Sequence, residues 1–86
     1  MINMTPLREE ILRDLALHAK STTSDVAKRI DGDYKTVWAH MKLLRAKGLV
    51  IAELSQETSH VSPLFTLDKD ALREHFAVAL AYALGE

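Results

Sequence analysis

The chain has 86 residues, enough for one small domain, and 48% of them are hydrophobic, so it can bury a core. It contains no cysteine, which excludes disulfides, thiolate metal sites and a cysteine nucleophile. The formal net charge is −1, no apolar run is long enough to span a bilayer, and nothing resembles a signal peptide, so we expect a cytoplasmic protein.

The first predicted helix lies in the stretch TPLREEILRDLALHA. Thr5 is suited to cap it, and Pro6 is suited to its first position. Apolar residues then recur at helical spacing on one face: Leu7, Ile11, Leu12 and Leu15. We therefore expect this helix to dock on the core.

A second, short helix is predicted over SDVAKRI, with either Thr22 or Thr23 as its cap. Its apolar residues, Val26, Ala27 and Ile30, are expected to face inward. The following DGD sequence is typical of a turn in which Gly32 takes the left-handed conformation.

The third predicted helix runs from about Tyr34 to about Lys47, with Asp33 as its cap and Gly48 ending it. Its buried line is expected to be Val37, Met41 and Leu44. Away from that line lies a second stripe at helical spacing: Lys35, Trp38, Lys42 and Arg45. The helix is therefore amphipathic, and its polar side is basic.

After Gly48 the pattern indicates strands. We expect a hairpin over about 49–54 and 64–67, with Pro63 at an edge or at the start of a strand. A final helix over about 68–84, capped by Asp68, has apolar residues almost all round it. Such a helix needs a cover, and in a short chain a second copy is the expected one. The expected homodimer interface comprises Leu72, Phe76, Leu80, Ala83 and Leu84.

This order of elements is that of a winged helix-turn-helix domain. The stretch DVAKRIDGDYKTVWAHMKLLRAKGLV resembles the core of regulators of the ArsR and MarR kind, with residues at matching spacing: Thr36, Val37, His40, Met41, Leu44, Gly48, Leu49 and Val50. The predicted class is mainly α with a small β-hairpin (α+β): a three-helix core, a wing and an apolar C-terminal helix. We expect a single domain over 1–86, with the helix-turn-helix at about 23–48 and the wing at about 49–67.

The resemblance implies a sequence-specific regulator of transcription, a repressor, that binds double-stranded DNA. The residues that it places at the DNA are Thr23, Ser24, Tyr34, Lys35, Thr36, Trp38, Ala39, Lys42 and Arg45. The start of the third helix is also expected to receive a phosphate. The charge distribution agrees, because residues 20–48 contain seven basic and three acidic residues, a net charge of +4, and the remainder carries −5.

One alternative is a winged helix that binds another protein. It is motivated by an exposed Trp38 and by the wing tip SQETSHVS, which carries Glu57 and no Lys or Arg, although a minor groove attracts positive charge. Trp38 could instead pack as part of the core. The wing could add only polar contacts, from Ser55, Gln56, Thr58 and Ser59.

An enzyme is the least favoured class, because the sequence has no nucleophile–base pair at useful spacing and no phosphate-binding glycine loop. The four histidines, His18, His40, His60 and His75, show no metal-ligand spacing within a helix. His40 is expected to be packed or hydrogen-bonded. No metal and no cofactor are expected, and an apolar effector between the last helix and the core stays open.

Overall fold

A computed structural model of the chain describes residues 4–53 and 63–86. Within these residues, four helices and two strands follow in this order: α1 (Pro6–Leu17), α2 (Thr23–Arg29), α3 (Tyr34–Ala46), β1 (Val50–Glu53), β2 (Leu64–Leu67) and α4 (Lys69–Ala83). The strands pair antiparallel, with Val50 opposite Leu67 and Glu53 opposite Leu64. The predicted class, mainly α with a small β-hairpin, is confirmed.

Each helix begins at a side-chain cap. Thr5, Asp33 and Asp68 accept hydrogen bonds from backbone N–H groups three residues on, as their sequence positions predict. For α2 the structure decides between two candidates. Thr22 is the cap, and it forms a capping box in which the Asp25 carboxylate accepts from the Thr22 N–H at 3.1 Å.

The turn between α2 and α3 differs from the prediction. Asp31, and not Gly32, has the left-handed backbone, with φ of 54°. The next position is tightly packed, because a Cβ on Gly32 would lie 3.2 Å from Val37 Cγ2 and 3.3 Å from Ile30 Cγ1. A larger residue there requires these side chains to shift by a few tenths of an ångström, so the turn favours glycine through packing. At the end of α3, by contrast, Gly48 does take a positive φ of 75°.

The core lies between α1, α2, α3 and the hairpin. The predicted inner line of α3 is confirmed, since Val37, Met41 and Leu44 are fully buried. The other buried apolar side chains are Ile11, Leu12, Leu15, Val26, Ala27, Leu49, Val50, Phe65 and Leu67. This core holds α3 by one face and leaves its opposite face to solvent.

Phe65 is the largest fully buried side chain, and the backbone holds it from two sides. On one side β2 pairs with β1, and Ala52 of β1 lies opposite Phe65. On the other side, the Ser21 N–H donates to the Phe65 carbonyl at 3.0 Å and the Phe65 N–H donates to the Ser21 carbonyl at 2.8 Å. The wing strand is thus tied to the segment that precedes α2.

Candidate nucleic-acid interface

The outer face of α3 forms a cationic surface opposite the buried line. Tyr34, Lys35, Thr36, Ala39, Lys42 and Arg45 are exposed. None of the three basic side chains among them forms an ion pair with a carboxylate in the described part of the chain. Their charges are therefore available to an external anion. We call this outer face, with Trp38, the α3 surface.

Trp38 is half-buried, so its position lies between the two alternatives that the sequence left open. Its ring packs against Phe65 in a T-shaped arrangement, with centroids 6.2 Å apart and planes at 67°. The Lys42 ammonium lies 5.8 Å from the centroid of the same indole ring. Trp38 therefore contacts both the core and the cationic surface.

The start of α3 already holds an anion. The Asp33 carboxylate accepts the Thr36 N–H and the Thr36 hydroxyl, both at 3.1 Å. These bonds use the Thr36 hydroxyl proton and neutralise the positive end of the helix. The Asp33 carboxylate competes with a phosphate for this helix end, and binding of a phosphate there stays a prediction.

Two basic residues counted in the cationic middle of the sequence are paired elsewhere. Arg29 forms a bidentate ion pair with Asp14, at 2.8 to 3.0 Å, and also donates to the Ser21 hydroxyl at 2.6 Å. The hydrogen bonds to Asp14 raise the pKa of Arg29 above its ordinary value. Lys20 pairs with Glu53 at the base of the wing, at 3.3 Å. Neither cation belongs to the surface available for binding.

The contribution of α2 is smaller than the sequence indicates. Thr23 is only 3% exposed, and this burial contradicts the prediction that its side chain contacts DNA. Thr22, one residue earlier, is the half-buried cap, and Thr23 is the first residue of α2. Ser24 remains half-exposed, and Lys28 is exposed and unpaired among the described residues.

His40, on α3, links this helix to α1. The Arg8 Nε–H donates to His40 Nδ1 at 3.1 Å. Burial, and then the positive charge of Arg8, lower the pKa of His40 below its ordinary value. The predicted hydrogen-bonded role of His40 is confirmed.

The helix α4 exposes a long apolar surface. None of its residues, all described, is buried, and the large apolar side chains that it exposes are Phe76, Val78, Leu80, Tyr82 and Leu84. Of the residues expected at a dimer interface, Leu72 is half-buried against the core of its own chain and Ala83 is exposed. An open groove of about 390 Å³ lies beside this helix, lined by Lys47, Leu49, Ala71, Glu74, His75, Val78 and Ala79.

The described residues limit other kinds of site. No three of their His, Asp and Glu side chains come together as ligands for a metal ion. No helix among them is both long and apolar enough to cross a membrane. The predicted wing-tip contacts, Ser55, Gln56, Thr58 and Ser59, and the acidic Glu57 lie outside the described residues.

Sequence reasoning missed two features that shape this surface. The first is Phe65, which supports Trp38 from a strand almost thirty residues away, and no local pattern connects the two. The second is the Asp14–Arg29 pair. An acidic residue on the inner side of α1, three residues after Ile11, is the signal that could have indicated a buried cation partner.

Solved structures with the same fold are known, although the sequence matches no protein-family model and no curated protein. A possible transcriptional regulator from Methanosarcina mazei is 17% identical, with a TM-score of 0.77 over 96% of this chain and 75% of that one. The zinc-responsive MarR family member ZitR of Lactococcus lactis is 24% identical, with a TM-score of 0.70 over 98% of this chain and 62% of that one.

Staphylococcus aureus MepR, solved as a complex with DNA, is 18% identical, with a TM-score of 0.70 over 93% of this chain and 65% of that one. The chain thus spans less than two thirds of the length of ZitR and of MepR. These likenesses confirm the winged-helix fold, and with it the structural resemblance to regulators of the MarR kind.

Proposed function

We propose that the protein is a sequence-specific, double-stranded-DNA-binding regulator of transcription. The observation that carries this proposal is the α3 surface, where Lys35, Lys42 and Arg45 are exposed and unpaired among the described residues while the opposite face of the helix is fully buried. A helix held in this way stands out from the core, and the major groove of B-DNA is wide enough to admit it.

Within this proposal the residues have separate roles. Lys42 and Arg45 contact phosphates, which give affinity without sequence preference. Tyr34, Lys35 and Ala39 lie at the start or on the exposed side of α3, where base edges are reached. Thr36 uses its hydroxyl oxygen as an acceptor, since its proton is committed to Asp33. Ser24 contacts the backbone from α2.

We also propose that the protein binds DNA as a homodimer. The exposed apolar side chains of α4 would be covered by the same helix of a second copy, through Phe76, Leu80, Ala83 and Leu84, with Leu72 at the margin. Two copies would place two α3 helices about 34 Å apart on successive major grooves of a pseudo-palindrome. Occupying such a site would block other proteins from it, so we propose that the regulator is a repressor, and we propose that it acts in the cytoplasm.

The test is fluorescence anisotropy on labelled duplex DNA at several salt concentrations, with the mass measured on the same sample. We expect binding by a dimer that weakens linearly in log salt concentration. The double variant Lys35→Ala with Lys42→Ala should lose most of the affinity and keep the wild-type circular dichroism spectrum. Lys69→Ala with Arg73→Ala, which removes two exposed cations from the first half of α4, is the charge-matched control and should bind as the wild type does.

Retained affinity in the double variant would show that the binding surface is elsewhere. Absence of DNA binding even at low salt would favour the alternative, a module that binds another protein. That alternative had two motives, an exposed Trp38 and the acidic wing tip. The first is weakened because Trp38 is half-buried against Phe65. We therefore propose DNA, and selection of an operator from random duplexes would then test sequence specificity.

A further inference from the structure

Three residues form a continuous contact from the core to the α3 surface. Phe65 is buried, Trp38 packs on it with centroids 6.2 Å apart, and Lys42 places its ammonium 5.8 Å from the Trp38 centroid. The contact joins the wing strand β2 to α3 and ends at an exposed cation. We call these three residues the aromatic–lysine stack.

The base of this stack is fixed in place. Phe65 is 1% exposed, and its backbone is hydrogen-bonded to Ser21 on one edge of β2 while β1 pairs with the other edge. A ring held in this way has little freedom to move, so the indole that packs against it is also held. The indole ring beside the Lys42 ammonium is therefore held in a fixed position.

The other cations of the α3 surface have no comparable support. Lys35 and Arg45 form no ion pair and no ring contact among the described residues, so their long side chains are free to sample many rotamers. Binding a phosphate orders such a side chain, at a cost in entropy. Lys42 is different because the attraction between its ammonium and the indole face restricts it before any ligand arrives.

From this arrangement we propose that Trp38 is a positioning residue that holds the Lys42 ammonium ready for a DNA phosphate. The ammonium has three N–H donors. When one side of it faces the indole ring, donors on the other side remain for the phosphate. This inference rests on the proposed function. It assigns to Trp38 an indirect role in DNA binding. In this role the indole does not contact a base, and it does more than fill the core.

A double-mutant cycle tests the coupling. Affinities for one duplex at one salt concentration are measured for the wild type, Lys42→Gln, Trp38→Leu and the double variant. We expect Lys42→Gln to weaken binding about two- to fivefold more in the wild type than in the Trp38→Leu background, within the ordering cost of one rotamer-rich side chain, which the contact with the indole removes. Trp38→Phe keeps an aromatic ring and should retain most of the coupling.

Lys35→Gln is the matched control, because it removes the same charge from the same helix without touching the indole. Its effect should be equal in the two backgrounds. Equal losses for Lys42→Gln in both backgrounds would refute the inference. Coupling as large for Lys35 as for Lys42 would also refute it, since Trp38→Leu would then be disturbing the whole helix. Thermal unfolding of Trp38→Leu and Trp38→Phe shows whether each variant is folded.

A second measurement needs no DNA. In the free protein, the ring current of Trp38 should shift the NMR signals of the Lys42 ε-methylene protons upfield, and Trp38→Leu should abolish that shift. Signals at ordinary lysine positions in the wild type would overturn the inference even if DNA binds tightly. Conversely, a wild type that shows the shift but no salt-dependent binding to DNA would refute the proposed function, and with it any role of the stack at a phosphate.

Discussion

The two helices α3 and α4 both present an exposed face, but they are built in opposite ways. In α3 one line of side chains is fully buried and the exposed side is cationic. In α4 no residue is buried, and the exposed side chains include Phe76, Leu80 and Tyr82, the last of them 78% exposed. One helix is anchored and charged, whereas the other is apolar and barely anchored.

The difference indicates two partners of different chemistry. The cations of the α3 surface have no carboxylate partners among the described residues, so they are hydrated in the free protein. A polyanion replaces that hydration with direct contacts and releases its own counterions on binding. An apolar helix face instead gains stability when another apolar face covers it. The two surfaces therefore support the proposals of DNA for α3 and a second copy of the chain for α4.

The largest effect that we expect is a difference between substitutions in α3 and in α4 in how much unfolding free energy they remove. Leu44→Ala, at a fully buried position in α3, should lower the free energy of unfolding by about 2–5 kcal/mol, because it leaves a cavity in the core. Leu80→Ala, at a position 60% exposed in α4, should cost less than about 0.5 kcal/mol in the monomer. Urea unfolding at low protein concentration measures both, and equal losses would contradict the comparison.

The second prediction concerns the dimer. Leu80→Glu should shift the protein to a monomer and raise the dimer dissociation constant by roughly 100-fold, because a charge replaces a leucine that the proposed dimer would bury in both copies. Ile51→Glu places the same charge at an exposed apolar residue of β1 and serves as the control. Sedimentation velocity across a concentration series gives the result, and a dimer that survives Leu80→Glu would remove α4 from the interface.

A third prediction distinguishes cations that stabilise the fold from cations that bind DNA. Arg29→Gln breaks the ion pair with Asp14, which is only 8% exposed, and should cost about 1–3 kcal/mol of unfolding free energy. This cost is smaller than that of breaking a fully buried pair, because Arg29 is partly solvated. Its DNA affinity should stay near that of the wild type. Lys42→Gln should show the reverse, with weaker DNA binding and a loss of unfolding free energy of at most about 1 kcal/mol, the size of an exposed cation–π contact.

Thermal unfolding and anisotropy on the same two samples provide both quantities. A large loss of DNA affinity in a folded Arg29→Gln variant would mean that the Asp14 pair opens on binding.

The helices and much of the core could be predicted from the sequence, because their determinants are local. The line of Val37, Met41 and Leu44 follows from helical spacing, and Thr5 and Asp68 follow from the preference of helix starts for these residue types. Such features need only residues a few positions apart. The wing strands also follow from local composition, since their predicted bounds lie within one residue of the observed bounds at all four ends.

What could not be predicted depends on contacts between distant parts of the chain. The position of Trp38 depends on Phe65, and the pairing of Arg29 depends on Asp14 in another helix. Both change the candidate site, since the first supports a cation and the second removes one. A charge count along the sequence cannot distinguish an exposed arginine from one that neutralises a buried acid.

The smallest effect that we expect concerns pH and His40. Because burial and the charge of Arg8 lower the pKa of His40, the folded state binds fewer protons at this site than the unfolded chain does. Stability should therefore be complete above the ordinary histidine pKa of about 6.5 and should fall as the pH drops below it. Protonation would also remove the acceptor that Nδ1 presents to Arg8. His40→Gln keeps an acceptor and cannot titrate.

Melting temperatures of the wild type and of His40→Gln at pH 7.5 and pH 5.5 test this prediction. The other titrating groups are the same in the two proteins, so the comparison isolates His40. The wild type should lose a few degrees more than His40→Gln between the two pH values, and Lys35→Gln, on the exposed side of the same helix, should behave as the wild type does. An equal loss in the wild type and His40→Gln would mean that His40 is as easily protonated in the folded chain as in the unfolded one. The contact between α1 and α3 would then tolerate a second positive charge, and the anchoring of α3 would depend on its apolar line alone.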